Sequence, residues 1–248
     1  MIQPIETRAS ARAHRSTVSH TGRVTLALFD REMFSEAEAA RLLQISQGTL
    51  HYWLDGGVRR GKVYKPVLRV EPTGVHVVTW AEFIEAGFLR QYRRAKNVPL
   101  PELRAVIDDL RETTGSRYPL ATQELFIGPG KKIMQKAQER AGLPGEFSLV
   151  AVAGGQPLLT AAAESFIDRV DWDDNIAASW RPHNDPKSPV RMTPDIRFGL
   201  PAVGGIRTEI IWEHLESDES FDEVAEEFEL TVDEVRWAHA YETSTRTA

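Results

Sequence analysis

The segment FSEAEAARLLQISQGTLHYWLDGG, residues 34–57, carries two helix-start signals separated by a very short connection. Ser35 and Glu38 have the spacing of a capping box, which satisfies free amides at the start of a helix, so a helix is predicted from about Glu36. Ser46 can cap a second helix in the same way, and Gly56 ends it. Two helices joined by so few residues must fold back on each other, which predicts a helix-turn-helix unit.

Apolar residues recur along both helices at spacings of three and four, as expected for faces packed against a core. They are Ala39, Leu42, Leu43, Leu50, Trp53 and Leu54. Any helical hairpin could show this pattern, so the specificity must come from the residues after Gly57.

A basic run and a hairpin signal come directly after the second helix. VRRGKVYK, residues 58–65, places an aromatic residue among basic ones, and VLRV-EPTG-VHVV, residues 67–78, has the form of two strands joined by a turn. The order helix, turn, helix, basic loop, hairpin predicts a winged DNA-binding domain. Thr79 and Pro101 then mark the starts of two further helices.

The predicted DNA contacts are of two kinds. Side chains at the start of the second helix reach base edges in the major groove, while arginines and lysines of the loop and wing hold phosphates. The predicted DNA-binding residues are Ser46, Gln47, Thr49, His51, Tyr52, Arg59, Arg60, Lys62 and Lys65.

The two halves of the chain carry opposite charge. Residues 1–118 contain 18 Lys and Arg against 13 Asp and Glu, a net +5, whereas residues 119–248 contain 12 against 23, a net −11. A basic half suits a polyanion and an acidic half suits a basic protein, but on charge alone solvated surface is the favoured explanation.

The helix pair, the wing signal and the following WAEFIEAGFLRQYRRAKNVPLPELRAVIDDL resemble the winged helix-turn-helix of MerR-type regulators over roughly residues 30–114. The resemblance implies DNA binding. His51 stands where those regulators usually have an arginine, which removes one implied phosphate contact. Their long dimerising helix and metal-binding cysteines are absent, so metal sensing is not carried over.

The C-terminal segment VRMTPDIRFGLPAVGGIRTEIIWEHLESDESFDEVAEEFELTVDEVRWAHAYE, residues 190–242, is similar to a short domain of unknown function found in VapB-type antitoxins. With the N-terminal segment before it, the chain resembles the large mycobacterial form of these antitoxins. That resemblance implies neutralisation of a PIN-domain ribonuclease toxin and repression of the antitoxin's own operon. It does not identify the residues that touch the toxin.

The C-terminal residues themselves favour a small helical unit in contact with protein. Capping boxes at Ser220 and Thr231 predict helices over Phe221 to Phe228 and Val232 to Tyr241. From residue 201 onward, 13 acidic residues face only Arg207, Arg236 and Arg246. Such a surface cannot neutralise phosphates, so partner contact is assigned to residues 195–243. An ordinary stabilising module is the alternative.

The predicted fold class is α+β, with an N-terminal winged helix-turn-helix, a β-rich middle unit and a C-terminal trihelical domain. In the middle, ELFI, FSLVAV and FIDRVDW have the composition of strands, while KIMQKAQER is compatible with a helix. The predicted segments are a disordered region or arm at 1–22, the DNA-binding domain at 23–116, the β-rich domain at 117–182, a proline-rich linker at 183–194, the trihelical domain at 195–243 and a tail at 244–248.

Composition excludes several functional classes. Zero cysteines rule out disulfides and thiolate chemistry, and no apolar run approaches the roughly 20 residues of a spanning helix. Seven histidines show no i, i+4 pair typical of a shared metal. We therefore expect a cytoplasmic protein that is not an enzyme, with no cofactor and no metal ligands, and no membrane partner.

The sequence leaves three functional hypotheses open. The first is a homodimeric antitoxin that binds a double-stranded operator and a PIN-domain toxin. The second is a stand-alone MerR-like regulator whose middle domain senses a small molecule. The third is an adaptor without a nucleic-acid role.

Overall fold

A computed structural model describes residues 28–183 and 185–246 of the chain. The predicted arm at 1–22 and the last two residues of the predicted tail lie outside the described residues. The described part combines helices with two-stranded antiparallel sheets, which confirms the prediction of a mixed α+β chain. None of the described helices combines the length and the apolar sequence needed to cross a lipid bilayer.

The N-terminal elements follow the predicted order of helices. They are β1 (Glu32–Ser35), α1 (Glu36–Leu42), α2 (Gln47–Asp55), β2 (Gly57–Arg59), β3 (Lys62–Tyr64), β4 (Val77–Thr79), α3 (Trp80–Lys96) and α4 (Leu100–Thr114). As predicted, Ser35, Ser46 and Thr79 each accept a hydrogen bond at the start of a helix, and Gly56 caps the end of α2. Gly115 caps the end of α4.

The predicted hairpin over residues 67–78 is wrong. β4 pairs instead with β1, while residues 67–76 form an irregular loop, and the hairpin is β2–β3 inside the basic run. The turn of β2–β3 contains Arg60 and Gly61, both at positive φ (51° and 74°), the backbone that a two-residue hairpin needs. Reading VRRGKVYK as a loop missed this turn, because the sequence holds a single glycine after an arginine rather than Asn-Gly.

The middle of the chain is more helical than predicted. Its elements are the 3₁₀ turns Pro119–Ala121, Gln123–Phe126 and Gly145–Phe147, with α5 (Gly130–Arg140), β5 (Val150–Ala153), β6 (Gln156–Leu159), α6 (Ala161–Ile167), β7 (Val170–Asp173) and β8 (Ile176–Trp180). The first three residues of ELFI lie in a 3₁₀ turn rather than a strand. The neighbours Leu125 and Phe126 are both buried, so they do not show the alternation between faces of a half-buried strand. The helical alternative for KIMQKAQER is the correct one.

One hydrophobic core joins the N-terminal and middle regions. Phe88 of α3 packs against Phe126 and Phe166, with ring centroids 5.7 and 5.0 Å apart, and the Trp80 indole donates to the carbonyl of Ala177 over 2.6 Å. The predicted boundary near residue 116 therefore crosses a continuous core.

The C-terminal region has its own core. Its elements are β9 (Ala202–Val203), β10 (Ile206–Arg207), α7 (Thr208–Glu216), α8 (Phe221–Glu227) and α9 (Val232–Arg246). Buried residues of these elements form a second cluster with Val190. Three helices are present, as predicted, and both predicted capping boxes form.

The C-terminal end of the predicted linker at 183–194 is packed into the folded structure. Val190 and Met192 are fully buried, one in each core. Met192 also pairs with Trp180, and Arg191 pairs with Ala202, through backbone hydrogen bonds. Proline content suggested a flexible segment, but the apolar residues after Pro189 anchor it.

Candidate nucleic-acid interface

The start of α2 presents polar side chains to solvent and apolar ones to the core. Ser46 and Gln47 are exposed and Thr49 is half-buried, whereas Leu50 and Trp53 are buried. This division follows the helical period, so one helix serves packing and surface at once. Those polar positions are among the residues predicted to contact DNA.

Two of these residues also hold the helix start together. The Ser46 hydroxyl accepts from the Thr49 backbone N–H over 3.2 Å, and the two hydroxyls are 2.8 Å apart. The cap fixes the backbone of the first turn of α2, so the exposed Gln47 stands on an ordered turn.

Tyr52 is a correction to the predicted set. Its side chain is buried, and its ring lies 6.1 Å from the ring of Tyr64 in β3. We assign it to packing of the hairpin against α2. Its place one position after His51 on the helix turns it inward, which the sequence motif alone does not reveal.

The β2–β3 hairpin places the basic residues beside α2. Arg60 and Lys62 are exposed at its turn and Lys65 is exposed just after it, while the Lys62 ammonium lies 5.4 Å from the Tyr64 ring centroid. Arg59 lies in β2, and its side chain is outside the described part of the structure. Val58 and Val63 face each other across the hairpin and are 68% and 75% exposed.

Gly56 brings the hairpin close to the end of α2. Its φ is +72°, and a Cβ added there would lie 2.2 Å from the Tyr64 carbonyl oxygen. Only glycine allows this approach of the two backbones. The orientation of the hairpin is thus set at the helix end.

A buried arginine fixes the loop that follows the hairpin. The Arg69 guanidinium donates to Asp55 at the end of α2 (3.0 Å) and to Glu82 in the first turn of α3 (2.8 and 3.2 Å). It also donates to the Val75 and Val77 carbonyl oxygens at 3.0 and 2.7 Å. One side chain therefore ties α2, the loop and α3 together.

The electrostatics of this cluster favour the charged forms. Burial by itself would raise the pKa of Asp55, but hydrogen bonds from the Thr73 backbone and Arg69 outweigh it and leave this pKa lowered. For Arg69, burial acts to lower the pKa, and Glu82 and Asp55 more than offset it. The buried charges of Asp55, Arg69 and Glu82 beneath the interface are therefore paired with one another.

The structure brings together three residues that sequence spacing kept apart. Nδ1 of His51 lies 3.1 Å from Oε1 of Glu36, and Nδ1 of His76 lies 3.3 Å from Oε2 of the same carboxylate. Glu36 and His76 were not among the predicted site residues. The i, i+4 criterion could not find them, because the three come from α1, α2 and the loop before β4.

A second basic group near α2 was also missed. Arg90, Arg93 and Arg94 of α3 line a cleft with Ile45 and Trp53. Burial, with the like charge of Arg94, lowers the pKa of Arg90 to about 10, and Arg90 donates to the Gln44 side chain over 2.7 Å. In the sequence, the only sign of this basic group was the run of arginines and lysine in RQYRRAK.

The C-terminal unit carries an acidic surface. The exposed carboxylates of α7 and α8 include Glu213, Glu216, Asp222 and Glu226. The His214 imidazole lies among them, with Nδ1 3.0 Å from Glu219 and 3.4 Å from Glu227. This surface lies on a unit with its own core, separate from the hairpin.

Known proteins are similar both to this C-terminal unit and to longer parts of the chain. Residues 190–241 match a family described as proteins of unknown function, DUF433. The match begins at Val190, the residue at which the second core begins. The family segment is therefore the folded unit that includes the end of the predicted linker.

Two curated relatives come from Mycobacterium tuberculosis. The uncharacterized protein Rv2308 is 37% identical over 132 residues, which is 53% of this chain and 55% of that protein. A protein named "Putative antitoxin VapB45" is 28% identical over 224 residues, covering 84% of this chain and 92% of that protein. The match thus spans only about half the length of Rv2308 but nearly all of VapB45.

A solved structure shares the fold over most of the chain. The crystal structure of Rv2018 from Mycobacterium tuberculosis superimposes with a TM-score of 0.69 at 27% sequence identity. The match covers 85% of this chain and 98% of that one. The N-terminal, middle and C-terminal regions thus recur together in a solved protein.

Proposed function

We propose that this chain is a DNA-binding antitoxin that neutralises a PIN-domain ribonuclease and represses its own operon. The observation that carries the proposal is the exposed, capped start of α2 beside a basic hairpin, in a chain similar over 84% of its length to a protein named as an antitoxin. The architecture α1, α2 and β2–β3 is then a winged helix-turn-helix of MerR-like type.

In this proposal α2 enters the major groove. Ser46, Gln47 and Thr49 stand at its N-terminal end, where recognition helices contact base edges, and His51 lies in the middle of the helix. Gln47 has the bidentate amide that pairs with adenine, and the Thr49 methyl suits thymine. Tyr52 supports the hairpin from behind.

The hairpin is the wing and holds phosphate. Arg60 and Lys62 are exposed at its turn, Lys65 follows it, and Arg59 precedes the turn in β2. Cations at these positions give affinity independent of sequence. The Arg69 network and the glycine at the end of α2 keep the wing at a fixed angle to the recognition helix.

The acidic surface of α7 and α8 is the proposed toxin contact. A ribonuclease must attract a polyanion, so the carboxylates imitate the charge of its substrate.

Two DNA-binding units are expected on paired half-sites, which implies a homodimer.

A base-reading test addresses the DNA half. Gln47→Ala and Thr49→Ala should change the sequence returned by binding-site selection, with a loss of about 1–3 kcal/mol of discrimination each. Lys131→Ala, a change in α5 away from α2 and the hairpin, is the control. An unchanged motif for both α2 variants would remove these residues from the interface.

A toxin test addresses the other half. The chain is co-expressed with the adjacent reading frame, captured, and assayed for ribonuclease inhibition. Reversing Glu213, Glu216 and Glu226 to Lys should weaken inhibition. Reversing three exposed acids elsewhere makes the same charge change and serves as the control; these are Glu112, Glu124 and Glu146. Equal inhibition by both triple variants would refute the acidic contact.

One observation favours a second candidate function. A cleft of about 310 Å³ opens between α5 and β5, lined by residues that include Gln135, Gln138 and Leu143. A stand-alone regulator could sense a small molecule there. The same co-expression experiment separates the two, because a regulator of that kind has no captured ribonuclease partner.

A further inference from the structure

We propose that Glu36, His51 and His76 form a binding site for a divalent transition-metal ion of the Zn²⁺ class. Two imidazoles and one carboxylate are a donor set that binds zinc, leaving a fourth position open. Metal binding is argued from these residues alone and does not depend on the proposed DNA-binding role.

Each histidine nitrogen already lies at close to a metal-ligand spacing from the Glu36 carboxylate. With bonds of about 2.0–2.1 Å, neighbouring ligands of a tetrahedral ion are about 3.3–3.4 Å apart. The two histidine Nδ1 atoms lie 3.1 and 3.3 Å from separate oxygens of Glu36, and one ligand atom from each residue lies within 4.8 Å of the others. A small movement of side chains would admit the ion.

The Glu36 carboxylate differs from the carboxylates of ordinary structural ion pairs in its burial and in its partners. The Glu36 side chain is only 2% exposed, and its ion-pair partners among the described side chains are the two histidines rather than a lysine or arginine. A buried carboxylate needs a positive partner to offset the loss of hydration. A divalent cation supplies that charge and leaves both imidazoles neutral.

The backbone holds the three ligands in register. The Glu36 N–H donates to the His76 carbonyl oxygen over 3.1 Å, and the two imidazole rings lie 5.6 Å apart with a 28° angle between their planes. His51 and His76 are partly exposed, at 43% and 70% of their side chains, which gives an ion access from solvent. The site is therefore ordered at its base and open at its mouth.

An ion here would join α1, α2 and the loop before β4. Glu36 begins α1, His51 belongs to α2, and His76 precedes β4. Ligation through Nδ1 would leave Nε2 of His51 directed away from the ion. Any effect of the bound metal on affinity for the operator would depend on the proposed DNA-binding function. Binding of the metal itself does not depend on it.

The test is a zinc titration of the untagged full-length chain without DNA. Metal is first removed by a chelator, and Zn²⁺ is then titrated in competition with a chromogenic chelator. His214→Gln is the background variant, because His214, Glu219 and Glu227 form a second group with metal-ligand spacing. Circular dichroism verifies that every variant folds.

In the His214→Gln background, one zinc ion should bind. Adding His76→Gln or Glu36→Gln should weaken binding by at least about 10- to 100-fold, since even loss of an outer partner has that effect. Adding His239→Gln, a histidine elsewhere on α9, should leave affinity unchanged. Equal affinity in the folded His76→Gln variant, or no zinc bound by the background variant, would overturn the site.

Discussion

Replacing Glu85 by glutamine should make the protein more stable at neutral and alkaline pH. Glu85 lies on α3 and is fully buried, and burial, partly offset by Arg111 and by a hydrogen bond from the Leu120 N–H, raises its pKa to about 7. Glutamine keeps an acceptor for that N–H, which lies 2.9 Å from Oε1, and carries no charge to desolvate.

The sign follows from proton linkage. Between pH 4.5, the ordinary pKa, and about pH 7, the folded state binds more protons at Glu85 than the unfolded state does. The contribution of Glu85 to the free energy of unfolding is therefore largest below pH 4.5, falls as pH rises through this window and is constant above it. At about 1.36 kcal/mol per pKa unit, the fall is about 3 kcal/mol.

Urea unfolding followed by circular dichroism at several pH values between 5 and 8 measures this effect. The stability of Glu85→Gln relative to the wild type should rise by about 2.5 kcal/mol between pH 5 and pH 8, because part of the loss in the wild type has already occurred at pH 5. Glu112→Gln, an exposed change on α4, is the control and should follow the wild type. Parallel curves for Glu85→Gln and wild type would refute the raised pKa of the buried Glu85.

Two further predictions concern the supports of the interface, and a third concerns the segment that joins the two cores. Arg69→Met should cost about 3–5 kcal/mol in urea unfolding because it leaves two carboxylates buried without a cation; a loss below about 1 kcal/mol would contradict the network. Gly56→Ala should lower the melting temperature more than Gly61→Ala, since both have positive φ but only the first meets a backbone atom; equal losses would contradict this. A chain ending at Pro189 should be less stable than one ending at Thr193 by about 2–5 kcal/mol, because the shorter chain lacks Met192; equal stability would show that Met192 does not anchor the first core.

The N-terminal and C-terminal helices could be predicted because their signals are local. Hydroxyl caps at Ser35, Ser46 and Thr79, with apolar spacings of three and four, depend only on neighbours in sequence, and each helix begins where its cap predicts. The two C-terminal capping boxes form for the same reason.

The remaining features depend on contacts between distant residues. Residues 67–76 have a strand-like composition, but Arg69 donates to carbonyl oxygens close by in the chain and to carboxylates of two helices, which favours a folded loop. The pairing of β4 with β1 joins Ser35 to Val77 and leaves no local signature. Glu36, His51 and His76 meet only once this tertiary structure has formed.

The measurement closest to the central proposal is a salt-dependent titration of the chain on the DNA upstream of its own reading frame. We expect tight binding whose logarithm falls linearly with the logarithm of salt concentration. Arg60→Ala with Lys62→Ala should weaken binding to all duplexes alike and flatten that slope by about one per lost contact. Lys131→Ala with Lys136→Ala, which removes two positive charges from α5, should leave the slope unchanged. An unaltered affinity and slope in the hairpin variant would contradict the assignment of this surface to DNA.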